Sequence, residues 1–186
     1  MSPLARWISI VGHPFVMIGL LVGMAARQRS ARMAGSIAIV AIFTVVPLLA
    51  LMIRQVRRGA WHNADASNIH ERPTLYRVGL AGLVGLLIFL RMSQPQSFLV
   101  RGVVPALGMF AVCAVLTRWV KVSLHMAFAA FAASALAFSG SVVGWALMAF
   151  LPVLGWSRFV LGRHHAGELV LGLAIGAGAG IALSVV

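Results

Sequence analysis

Acidic side chains are nearly absent from this sequence: Asp65, Glu71 and Glu168 are the only three, against 15 lysines and arginines, for a net charge of +12. Carboxylates that scarce are not covering a solvated surface, and each of the three stands within seven positions of an arginine and a histidine. They mark a site. Cysteine is as rare. Cys113 is the only one, which excludes an intramolecular disulfide and leaves the redox compartment open. No Pro, Gly or Ser-rich linker divides the 186 residues, so one domain spanning 1–186 is expected. Charged residues of all kinds make up only 10%.

What fills the chain is apolar. Hydrophobic residues reach 61% and mean hydropathy is +1.00, outside the range of soluble domains. A multi-pass integral membrane protein follows, expected in the cell membrane. The basic excess then faces headgroups and an anionic ligand, and no nucleic-acid partner is expected. A helix needs about 20 mostly apolar residues to cross the hydrocarbon core. Seven stretches come close: 8–26, 33–53, 74–90, 98–120, 122–139, 142–156 and 166–186. The third and sixth are short, leaving six or seven true spans. Because the runs are continuous and do not alternate, strands of a barrel are excluded and the fold class is an all-α polytopic helix bundle. The first stretch weakly mimics a signal peptide, but His13 and Pro14 interrupt it and arginines follow.

If all seven stretches cross, three polar islands fall on one membrane face: 54–73, the joint at Lys121, and 157–165. That face carries ten lysines and arginines and the other carries five, Arg27, Arg29, Arg32, Arg91 and Arg101. The bias would make the shared face cytoplasmic, but it drops to seven against five once the candidate anion ligands Arg72, Lys121 and Arg158 are set aside. The orientation stays open.

The last island reads Ser157-Arg158, five residues, His164, three residues, Glu168. It resembles the third motif of the type 2 phosphatidic acid phosphatase superfamily, SR-x5-H-x3-D, with Glu for the final Asp. Lys121-Val-Ser123-Leu-His125 resembles the PSGH motif of that superfamily, with Val122 and Leu124 replacing Pro and Gly. Arg72-Pro73 fits the end of K-x6-RP, but Asp65 stands at the lysine position. The three occur in the superfamily's order, over residues from about 54 to 186, and the resemblance implies a core of that kind.

It also implies roles. His164 would be the nucleophile that forms a phosphohistidine, Glu168 would accept a hydrogen bond from its other ring nitrogen, and His125 would protonate the leaving oxygen. If the segment is helical, the spacing of four puts His164 and Glu168 on one face. Arg72 and Arg158 would clamp the phosphate, since a guanidinium donates two parallel hydrogen bonds. Ser123 would add a hydroxyl. Asp65 cannot hold phosphate as a lysine does, so Lys121 is expected to supply that cation while Asp65 orients Arg72 or Lys121. Glu71 is expected to steer Arg72 or to cap a turn. No step calls for a metal or other cofactor.

Other features have simpler readings. His13, His62 and His70 are expected to satisfy local backbone groups. His165 is expected in a supporting or loop position, and a zinc site at His164, His165 and Glu168 is disfavoured by the nearby Arg158 and Arg163. Arg54, Arg57 and Arg58 form a headgroup-facing cluster. Gly172, Gly176 and Gly180 form a smooth stripe, expected to pack within the chain, with a homo-oligomer as the alternative. Trp61, Trp119, Trp145 and Trp156 lie near segment ends, as interfacial anchors do.

The expectation is therefore a membrane phosphatase acting on a lipid or isoprenoid phosphate or diphosphate delivered by the bilayer. A phosphotransferase using the same site, or a non-catalytic binder or transporter of anionic lipid, are the alternatives.

Overall fold

The computed structural model describes residues 2–29, 31–61 and 68–185. Within them the chain is helical, with no strand, as the apolar runs require. A short helix, α1 (Pro3–Val11), is followed by α2 (Pro14–Gln28), and the two meet at a bend of 40°. The break falls at Gly12-His13, because Pro14 has no N–H to carry the helical ladder across and suits only a first turn. The first apolar stretch, expected as one segment, is thus a broken one.

Next come α3 (Met33–Val40), a π turn at Ala41–Val45 and α4 (Val46–Arg57), together one run of 25 residues. Pro47 explains the π turn: it cannot donate to the carbonyl four residues earlier, at Phe43. That carbonyl is approached by Gly82, where a Cβ would collide with it. A 3-10 turn at Ile69–Glu71 leads into α5 (Arg72–Ser93), followed by α6 (Phe98–Leu116), α7 (Leu124–Phe138), α8 (Val142–Val160) and α9 (Ala166–Val185).

Among the described residues, five helices are long and apolar enough to cross a membrane: α3 through α4, α5, α6, α8 and α9. The bent pair α1–α2 makes a sixth if counted as one span. This is an integral membrane protein. The two stretches that looked short, 74–90 and 142–156, belong to α5 and α8, of 22 and 19 residues. Hydropathy cut α8 off before Ser157-Arg158 and α5 off at both ends: Arg158 and Arg72 continue their helices because each finds a buried partner, Ser9 and Val122 respectively, whereas Arg91, Met92 and Ser93 extend α5 as an exposed last turn.

The short helix is α7, with 15 residues, or about 22 Å at the helical rise, against roughly 30 Å of hydrocarbon. It meets little lipid. Every residue from His125 to Ala137 is buried, and α2, α8 and α9 pack around it. Its alanines keep it thin. Lipid tails are as apolar as leucine, so helices in a bilayer associate through close packing and not through expulsion of water. The glycine stripe of α9 provides that packing: a Cβ on Gly172 would lie 2.5 Å from the Ser123 carbonyl oxygen, and Cβ atoms on Gly176 and Gly180 would strike Ala127 and Ser134 of α7. The stripe packs within the chain.

Trp61 differs from its expected place. It is 4% exposed and lies in the main core, whereas Trp119, Trp145 and Trp156 are exposed. The turn after α4, with Gly59 at φ +67, folds the backbone back so that the Trp61 N–H donates to the Gln55 carbonyl.

Replacing Gly176 with leucine should force α9 off α7 and lower the thermal midpoint in detergent, at an overpacking cost of about 1–3 kcal/mol. Leucine at Gly178, where a Cβ meets nothing within 4 Å, should leave the midpoint nearly unchanged. Equal effects at the two positions would contradict this account of the stripe.

Candidate active site

Three chain joints meet at one end of the bundle. The first opens α5. Asn68 and Glu71 cap its entry turn reciprocally, Asn68 Oδ1 accepting from the His70 N–H at 3.1 Å and Glu71 Oε2 from the Asn68 N–H at 3.3 Å. Pro73 then suits the first turn of α5. So placed, Arg72 is 3% exposed and donates from Nη1 to the Val122 carbonyl, tying α5 to the joint before α7. Asp65, the expected orienting residue, lies outside the described residues, as does His62.

The second joint carries Lys121 to His125. Ser123 is fully buried and caps α7, its Oγ accepting from the Met126 N–H at 3.5 Å. Its own N–H donates to the Glu168 carbonyl at 3.2 Å, so the start of α7 is fastened to the first turn of α9. His125 follows in the first turn of α7. It is 6% exposed, and its Nε2 has no hydrogen-bond partner among the described residues.

The third joint links α8 to α9. Ser157 Oγ donates to the Leu154 carbonyl at 2.8 Å, inside its own helix. Arg158, in the last turn of α8, is buried and donates from Nη1 to Ser9 Oγ of α1 at 2.6 Å. Gly162, at φ +65, turns the chain, and His164 and His165 precede α9. His164 therefore does not share a helical face with Glu168. The carboxylate reaches back over the helix start instead, in the manner of an N-capping glutamate.

One oxygen of Glu168 is the focus of that reach. Oε2 lies 2.8 Å from His164 Nδ1, 3.2 Å from the His165 N–H and 4.0 Å from Lys121 Nζ. Lys121 Nζ also donates to the Arg163 carbonyl at 2.6 Å. The His164 tautomer that donates from Nδ1 to Glu168 carries its lone pair on Nε2. Glu168 also sits in the first turn of α9, where the helix dipole favours a carboxylate.

The charge balance of the cluster is positive. Arg72, Arg158 and Lys121 all act on His164, and counting both Glu168 and Glu71, next to Arg72 in the chain, still leaves an excess of cation. Burying cations is costly unless they are compensated. A bound anion would compensate these. Burial, then Arg72, Arg158 and Lys121, hold the His164 imidazole well below its ordinary 6.5, with a backbone hydrogen bond to Lys121 opposing weakly. Burial also lowers the Lys121 ammonium, partly offset by Glu168.

Two residues of this cluster were not expected from the sequence. Ser9 is the partner of Arg158. His13, read as a local backbone partner, does accept from the Phe15 N–H at Nδ1, at 3.3 Å. Its ring also stands edge-on to His125, with centroids 5.2 Å apart. The available signal was an ionisable residue within an apolar run, which in membrane helices points to function.

The His164 shift has a consequence for stability. The group binds its proton less readily when folded, so its contribution is fully present above pH 6.5 and declines as pH falls below that towards the folded value. The thermal midpoint in detergent should therefore drop between pH 7 and pH 5, and His164→Gln should flatten that slope. An unchanged slope in the variant would contradict the burial of a neutral imidazole. No protein-family model, curated protein or solved structure matches this chain.

Proposed function

We propose that this chain is a membrane phosphatase that hydrolyses a lipid or isoprenoid phosphate or diphosphate through a phosphohistidine. The observation that carries the reading is the His164 Nδ1 to Glu168 contact inside a buried cluster with a cationic excess. A neutral imidazole backed by a carboxylate is a nucleophile, and the surrounding cations suit the oxygens of a phosphoryl group.

Nε2 of His164 attacks phosphorus, the N–P bond forms, and the P–O bond to the lipid breaks. His125 gives a proton to the departing oxygen. Water then attacks the phosphohistidine, His125 takes a proton from it, the N–P bond breaks, and inorganic phosphate leaves with His164 neutral again. Glu168 accepts from Nδ1 throughout and stabilises the ring as it becomes positive. Arg158 and Arg72 hold phosphoryl oxygens by charge-assisted hydrogen bonds, beyond those they make to Ser9 and Val122. Lys121, held beside Glu168, adds the cation that Asp65 cannot supply. The buried Ser123 hydroxyl caps α7 and keeps the His125 end of that helix in place. The cell membrane is the proposed location, and the bilayer is the route by which substrate arrives.

Phosphate release from phosphatidate and from a polyprenyl diphosphate in detergent tests the reading. His164→Ala should abolish release, and His125→Ala should lower it about 10²–10⁴-fold, the range for loss of a general acid or base. Transfer of labelled phosphate to an added alcohol without free phosphate would instead indicate a phosphotransferase. No turnover of any phosphate ester by the parent chain would leave a lipid-binding protein.

Lys121→Ala should reduce kcat about 10-fold or more, if the ammonium stabilises developing charge as other such electrostatic groups do. Undiminished turnover would remove Lys121 from the mechanism.

A further inference from the structure

The end of the bundle away from the candidate active site is also basic. It is formed by the α2–α3, α5–α6 and α7–α8 joints, with Gln28 Nε2 3.5 Å from Ser139 Oγ. Among the described residues it carries no acid, since Glu71 and Glu168 are both at the other end. Two adjoining cavities open there. One, of about 680 Å³, has a mixed lining in which Arg29, Arg32, Ser36, Gln94, Ser97 and Arg101 stand among apolar groups. The other, of about 410 Å³, runs inward between α2, α5, α6 and α7 and is lined by apolar side chains such as Leu21, Leu83, Leu86 and Phe131. Arg29, Phe98 and Arg101 line both. The guanidinium of Arg29 stands 5.9 Å from the centre of the Phe98 ring.

The pair of cavities has the polarity of an amphiphile. Along α5 the lining runs from Gln94 to Gly79, a length of about 22 Å at the helical rise, comparable with one leaflet. The inner cavity falls in the range of about 300–1,000 Å³ that ligand sites occupy. None of Arg72, Lys121, His125, Arg158 or His164 lines either cavity. Phe110, at the inner end, packs on Tyr76 and Phe128, with ring centroids 5.0 and 6.0 Å away, and this aromatic layer stands between the cavity and the Arg72 end of α5.

We propose that this end of the protein binds a phospholipid with an anionic headgroup, its phosphate held by Arg29 and Arg101 and one acyl chain lying in the apolar cavity. Basic side chains at a membrane surface attract anionic lipids in preference to zwitterionic ones. The arginine-lined cavity lies outside the apolar one, so the chain enters with its head left at the arginines. The site is independent of the proposed phosphatase reaction, and its ligand need not carry a phosphate monoester.

The test is native mass spectrometry of the full chain after exposure to mixed micelles of phosphatidylglycerol and phosphatidylcholine. Retention of phosphatidylglycerol is expected, with the Arg29→Ala, Arg101→Ala double variant retaining roughly 10-fold less or lower, since each arginine contributes to headgroup attraction. The corresponding double lysine variant should retain more than the alanine one. Ala106→Phe narrows the apolar cavity, keeps both arginines, and should also lower retention. His164→Ala should retain the lipid as the parent does. Equal retention of the two lipids by the parent, undiminished phosphatidylglycerol in the alanine double variant or in Ala106→Phe, or its loss in His164→Ala, would overturn the proposal.

Discussion

The candidate site depends on how the first turn of α9 is held against the start of α7. Two contacts do this from one residue: the Glu168 carbonyl accepts from the Ser123 N–H, and the Glu168 carboxylate draws together His164, the His165 N–H and Lys121. The glycine stripe makes the geometry possible. With a side chain at Gly172, α9 could not come close enough to the Ser123 carbonyl for the two helix starts to be joined. Backbone proximity comes first, and the placement of the titratable groups follows from it.

Enclosure of α7 has a similar consequence for the other half of the site. A helix of 15 residues would fit a bilayer poorly if it faced lipid, but surrounded by α2, α8 and α9 it can start below the level of its neighbours. His125 is thereby buried in its first turn. The bend between α1 and α2 brings His13 to the same depth, and α1 carries Ser9 to Arg158. A straight first span would present neither residue. Burial of several cations with few acids is unfavourable for folding taken alone, and such an arrangement is what an anion-binding site requires.

Much of this was legible in the sequence because the signals are local. Apolar runs marked the helices, and the scarcity of acids singled out Glu168. The spacing of four placed His164 and Glu168 within reach of each other, although through a helix cap and not a helix face, because Gly162 and the two histidines keep the chain non-helical up to Ala166. Hydropathy places ends at Arg72 and Arg158, whereas a buried partner lets each stay within its helix, and it stops α5 at Leu90, although the helix runs on through the exposed turn Arg91–Ser93. Trp61 was misread for a related one, since its position near a segment end does not reveal that the chain folds back there.

The sequence by itself determined that this is a helical membrane protein with three polar islands and a cationic excess, because transfer of side chains to hydrocarbon and the satisfaction of backbone hydrogen bonds are decided residue by residue. Only the tertiary structure decided which islands share a cluster, which helix lies inside, and which residues from the first span join it. Arg158 and Ser9 are 149 positions apart, and Arg72 and Val122 are 50 apart. Contacts of that range arise from how helices pack around α7, and no local pattern of side chains specifies them.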